Sequence, residues 1–133
     1  MSRAPTAATT TVWQYPKCST CRKALKWLGD RGVALNAIDL VASPPTVGQL
    51  REMWKRSGLR LAKMFNTAGE SYRAGDFKNK LATMSEAQAL AALASDGKLI
   101  KRPLIDAGAA VLVGYDEDRL DAVFPAPVAR RRG

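Results

Sequence analysis

Cys18 and Cys21, the only cysteines of the chain, are separated by two residues and sit where the local pattern changes from strand to helix. Before them, Thr11-Val12-Trp13-Gln14-Tyr15 is β-branched and aromatic, which suits a half-buried strand. After them, Cys21, Leu25 and Leu28 recur at i, i+4 and i+7, with Ala24 and Trp27 widening the stripe, and Gly32 supplies a helix stop. Cys18 is thereby placed in the turn entering a helix, where unpaired N–H groups and the helix dipole favour negative charge. The thiolate is the nucleophilic form of cysteine. A helix N-terminus, Cys-x-x-Cys spacing and nearby cations each favour it, and Lys17, Arg22 and Lys23 are those cations. Cys18 is the nucleophile candidate. Cys21, one turn further in, is placed to attack a mixed disulfide on Cys18 and release the partner.

Two other readings of the pair stand beside this one. Half a zinc site is poorly supplied, because the chain has no other cysteine and no histidine, and closure would need carboxylates or a second chain. Both thiols as buried filler is the other, against which the strand–CxxC–helix context argues.

A chain of 133 residues suits one domain with a respectable core. Its net charge of +9 favours anionic partners such as oxyanions, acidic proteins or nucleic acid. Part of that surplus is the run Arg130-Arg131-Arg132, read as a solvated tail; it lacks interleaved aromatics and any fold for base readout, which argues against direct nucleic-acid binding. No apolar run approaches the ~20 residues that span a bilayer. Residues 1–10 lack a hydrophobic signal core and read as a disordered lead-in, so the cysteine pair is expected in a reducing cytoplasm; a monomer without membrane attachment is expected.

In order, Val33–Leu40 reads as a second strand, making a parallel βαβ unit with the first. Ser43-Pro44-Pro45 breaks the chain. Thr46 to Gln49 is a capping box opening a helix with Leu50, Met53 and Trp54 on its apolar face, ended by Gly58. A short helical piece at Leu61, Met64 and Phe65 follows, and Glu70–Thr83 reads as polar and irregular. Ser85 to Gln88 is a second capping box, opening an alanine-rich helix ended by Gly97. Leu104–Asp106 and Val111–Val113 form an antiparallel hairpin around Ala107-Gly108, and a last helix from Asp116 turns Leu120, Val123 and Phe124 inward. The order predicts an α/β, thioredoxin-like domain over 11–124, with a helical insertion at about 43–95 and a basic tail at 125–133.

Four segments carry a resemblance that spans Val12 to Phe124: Tyr15-Pro16-Lys17-Cys18-Ser19-Thr20-Cys21-Arg22-Lys23, Phe65-Asn66-Thr67-Ala68-Gly69, Lys101-Arg102-Pro103-Leu104-Ile105, and Val113-Gly114-Tyr115-Asp116-Glu117. In this order they resemble the arsenate reductase/Spx family. The resemblance implies a thioredoxin-like fold with an inserted helical subdomain, Cys18 as nucleophile, and Arg102 beside it, before a cis-proline at Pro103. An arginine there offers a fork of donors to an oxyanion; the competing reading of Arg102 is a solvated charge. The implied substrate-binding set is Lys17, Ser19, Thr20, Arg22, Asn66 and Pro103. The glutaredoxin-coupled arsenate reductases have one active-site cysteine, a histidine and two further arginines, whereas this chain has Cys21, no histidine, and the Phe65 and Val113 runs near those arginine positions. The implied activity is a thiol-dependent reductase acting on an oxyanion or mixed disulfide, with glutathione and glutaredoxin or thioredoxin as donor and no metal or organic cofactor bound. The alternative is an Spx-like redox-sensing regulator that binds the RNA polymerase α subunit.

Overall fold

The computed structural model describes residues 9–125; the lead-in and the basic tail expected from the sequence fall almost wholly outside them. Four strands, β1 (Thr10–Gln14), β2 (Leu35–Asp39), β3 (Leu104–Asp106) and β4 (Val111–Val113), form one mixed sheet in the order β2-β1-β3-β4. β1 and β2 are parallel across α1 (Ser19–Asp30), while β3 runs antiparallel to both β1 and β4. This is the thioredoxin-like arrangement expected from the sequence. Between β2 and β3 lie α2 (Val47–Ser57), α3 (Glu70–Ala74), α4 (Phe77–Lys80) and α5 (Glu86–Ser95), and α6 (Glu117–Val123) follows β4.

The period-two alternation of the strands divides the core in two. Val12, Ile105 and Leu112 share one register row and pack on one face against Ala24, Leu28 and Leu120 of α1 and α6. Trp13, Leu104 and Val111 face the other way, against Leu50, Met53, Met64, Phe65, Leu90 and Leu93 of the helical block. Both capping boxes form as the spacing predicts. Thr46 Oγ1 accepts from Gln49 N–H at 3.1 Å while Thr46 N–H donates to Gln49 Oε1 at 2.9 Å, and Ser85 and Gln88 repeat the exchange.

Two expectations are corrected. Glu70–Thr83 is not irregular: it holds α3, α4 and a 3₁₀ turn at Leu81–Thr83. These pieces are shorter than a full amphipathic period and are held by tertiary packing, with Tyr72 and Phe77 clustering on Phe65 at ring-centroid distances of 6.4 and 5.6 Å. Gly97 is not the helix stop, because α5 already ends at Ser95. Gly97 lies in a following 3₁₀ turn where a Cβ would drive into the Leu40 carbonyl, so glycine is required for close approach of two backbones.

That 3₁₀ turn begins the segment that builds the site. Asn66 N–H donates to Leu99 O at 2.7 Å and Lys101 N–H to Met64 O at 2.8 Å, flanking an antiparallel bridge between Phe65 and Ile100. Gly114 N–H donates to Pro103 O at 2.8 Å. Three stretches distant in sequence are therefore laced together beside the N-terminus of α1.

Candidate active site

Cys18 is the N-cap of α1, in extended backbone (φ −93°, ψ 118°). Its N–H donates to Tyr15 O at 2.9 Å and its carbonyl accepts from Arg22 N–H at 3.1 Å, which fixes the turn. No side-chain oxygen caps this helix. Burial alone would push the Cys18 thiol up, but the Cys21 N–H, the Cys21 thiol, the Arg102 guanidinium and the Thr20 N–H together more than reverse it. The net result is a Cys18 thiol held below the ordinary cysteine range, as a helix N-terminus favours.

Cys21 behaves oppositely. It is fully buried on the inner face of α1, and burial pushes its thiol up to about 12; the Tyr15 N–H, which donates to Cys21 Sγ at 3.5 Å, opposes this, and the neighbouring Cys18 adds to it. At neutral pH Cys21 is therefore a protonated donor beside the Cys18 sulfur. Both cysteines are free. The environments of the two sulfurs push their pKa values apart, the pattern that assigns different roles to chemically identical groups.

Arg102 reaches the cleft from the segment that leads into β3. Its guanidinium lies 5.2 Å from the Tyr15 ring centroid and donates to Lys98 O at 3.2 Å, and its charge favours the Cys18 thiolate. The Arg102–Pro103 peptide bond is cis and Pro103 is buried.

These groups open onto a cleft of about 460 Å³. Of the residues the sequence singled out, Cys18, Thr20, Asn66 and Arg102 line it, while Cys21 and Pro103 are buried and do not. Lys17, Ser19 and Arg22 are exposed and do not line it. The Arg22 guanidinium instead donates to Pro16 O at 2.7 Å, clipping the loop before Cys18. The structure adds Lys101, Tyr115 and Arg119 to the lining. Lys101 adjoins the Arg102-Pro103 pair and was open to notice, but nothing in the sequence separates Arg119 from the many other surface cations.

A larger cavity of about 510 Å³ lies between α2 and the β1–β2 edge, floored by Trp13, Ile38 and Met53 and closed at one end by the Arg56–Asp106 ion pair. It holds no thiol, so chemistry rather than volume identifies the Cys18 cleft as the candidate site. Among the described residues, no three His, Cys, Asp or Glu side chains are grouped to hold a metal ion, and no helix is long and apolar enough to cross a membrane.

The ArsC family profile matches residues 13–123. The chain is 49% identical to the uncharacterized protein YusI of Bacillus subtilis over 84% of its length and 94% of that protein's. It is 26% identical to an arsenate reductase of Neisseria meningitidis, covering 85% of this chain and 96% of the relative, and 22% identical to the global transcriptional regulator Spx 2 of Lactococcus lactis, covering 89% and 88%. The crystal structure of an ArsC-family-related protein from Bacteroides fragilis superposes with a TM-score of 0.84 at 40% identity, covering 88% of this chain and 98% of that one. The cysteine at the head of α1, the helical block between strands and the match across nearly the whole described chain agree: this protein belongs to the ArsC family.

Proposed function

We propose that the protein is a thiol-dependent reductase in which Cys18 thiolate attacks an oxidised sulfur or an oxyanion. The observation that carries this reading is the pairing of an acidified Cys18, facing an open cleft beside Arg102, with a buried protonated thiol one turn behind it. On a disulfide, Cys18 sulfur forms a new S–S bond, the old S–S bond breaks, and the leaving thiolate takes a proton. Cys21, giving up its own proton, then attacks the Cys18 sulfur and expels the retained half as a thiol, leaving a Cys18–Cys21 disulfide. Two electrons have passed to the substrate, and a donor dithiol, or two glutathione molecules, returns them. On an oxyanion, Arg102 and the N-terminal N–H groups of α1 would hold the negative charge. Thr20 and Asn66 are the polar lining around the reacting sulfur. Glutathione with glutaredoxin, or thioredoxin, is the donor class, and a reducing cytoplasm the setting. The test is a coupled assay offering arsenate or a glutathione mixed disulfide with each donor in turn. Turnover that disappears in Cys18→Ser supports the reading; no turnover with any pair overturns it.

The 22% identical Spx relative supports a second reading, a redox-sensing regulator using the same cysteine pair. Its test is capture of the RNA polymerase α subunit that changes when Cys18 and Cys21 are oxidised.

A further inference from the structure

The Cys18 cleft is larger than its reacting end requires. A compact oxyanion bound at Cys18 would meet Arg102 and the N–H groups of α1, leaving most of the ~460 Å³ unfilled. That volume falls in the range of sites for extended small molecules. The remaining wall carries two further cations, Lys101 and Arg119, delivered by separate elements. Lys101 is set by its own N–H bond to Met64 O at 2.8 Å, and its stem runs over Gly114, with Cε 3.2 Å from where a Cβ on that glycine would sit. Arg119 rides on α6, whose next residue, Leu120, is fully buried and anchors the helix. Among the described residues neither cation joins an ion pair, whereas Arg102 is already engaged by the Tyr15 ring and Lys98 O. The one carboxylate in the lining, Asp116, is turned to capping α6, accepting from Asp118 N–H at 3.1 Å.

We infer that Lys101 and Arg119 form a second anion subsite, which holds a carboxylate on the far arm of an extended disulfide while its sulfur faces Cys18. This rests on the thiol-reductase reading and narrows it: the preferred substrate is an elongated, carboxylate-bearing disulfide rather than a compact oxyanion. Both residues would act in specificity and positioning, with the chemistry left to Cys18.

The test uses the full chain, reduced, and measures single-turnover attack of Cys18 on two probes by quenched intact mass: glutathione disulfide, which carries carboxylates, and bis(2-hydroxyethyl) disulfide, which is neutral. The readout is the ratio of the two rates. In Lys101→Gln/Arg119→Gln, both positions being exposed, the ratio should fall roughly three- to thirtyfold, as expected for two solvent-facing charge contacts. A control, Lys63→Gln/Lys78→Gln, removes two exposed cations that do not line the cleft and should keep the ratio. An unchanged ratio in the cleft variant, or an equal fall in the control, overturns the subsite while leaving the reductase reading in place. S-methylglutathione, which cannot exchange, separates the two claims from the other side. Its binding to wild type, weakened in the cleft variant, supports the subsite even if Cys18 attacks neither disulfide. Absence of both binding and attack overturns both.

Discussion

Replacing Arg102 with alanine removes the charged side chain that, among the described residues, helps hold the Cys18 thiol below the ordinary cysteine range. A hydrogen bond to a charged group contributes about 1.5–3 kcal/mol, and the half-buried position of Arg102 argues for the lower end. About 1.5 kcal/mol corresponds to roughly a tenfold slower reaction where the thiolate is scarce. The fold should survive. What is lost is one contact over Tyr15, about 0.5–1 kcal/mol at an exposed site, and one bond to Lys98 O, about 1 kcal/mol. Stopped-flow exchange of Cys18 with a neutral disulfide, followed from pH 5 to 10, is the assay. If Arg102 acts by stabilising the thiolate, the deficit is largest at low pH and closes once Cys18 is fully ionised in both proteins. With an anionic disulfide a residual deficit should persist at high pH, because the guanidinium also meets the incoming charge. Arg102→Lys should recover part of the loss, since lysine keeps charge but not the fork. An Arg102→Ala variant that reacts as fast as wild type at neutral pH would refute the reasoning.

Three other outcomes follow from the same geometry. Cys21→Ala should trap the Cys18 mixed disulfide, which wild type resolves to a form two mass units below the reduced chain; intact mass after substoichiometric oxidation reads it, and equal resolution by the variant would remove Cys21 from the mechanism. Asp106, bonded by Arg56 at 2.6 and 3.0 Å, is held below the usual carboxylate range: burial alone would raise it, but Arg56 and the Gly108 N–H more than offset that. Its contribution is therefore present above the unfolded carboxylate value and lost as pH falls through the folded one, so Asp106→Asn should cost about 0.5–1 kcal/mol at pH 7 and progressively less below about pH 4 in urea titrations. Gly97→Ala should lower Tm by roughly 4–15 °C, because the obstructing atom is the Leu40 carbonyl and backbone cannot swing aside; a shift under about 2 °C would contradict the packing.

Local rules made much of the fold readable in advance. The cysteine pair lies between an alternating strand and an amphipathic helix, and both Thr46 and Ser85 have their glutamine three residues on; each pattern is completed within a few residues, so the sequence carries it whole. The motif order placed Cys18, Asn66 and Arg102 as candidates, and all three line one cleft. What escaped depends on distant partners. α3 and α4 exist because Tyr72 and Phe77 find Phe65, and Gly97 is needed because Leu40 passes behind it. Arg119 reaches the cleft only through the docking of α6, and Arg22 is drawn to Pro16 O by a turn no periodicity encodes. Charge on a basic protein is a weak signal until the fold selects which cations converge.

The most direct test of the central claim is the pH dependence of iodoacetamide alkylation at Cys18 and Cys21, each site read separately by mass spectrometry. Cys18 should titrate below an ordinary cysteine, and Cys21 should stay unreactive until the medium approaches its value of about 12. A Cys18 midpoint at or above that of an unperturbed thiol, or alkylation of Cys21 ahead of Cys18, would contradict the account.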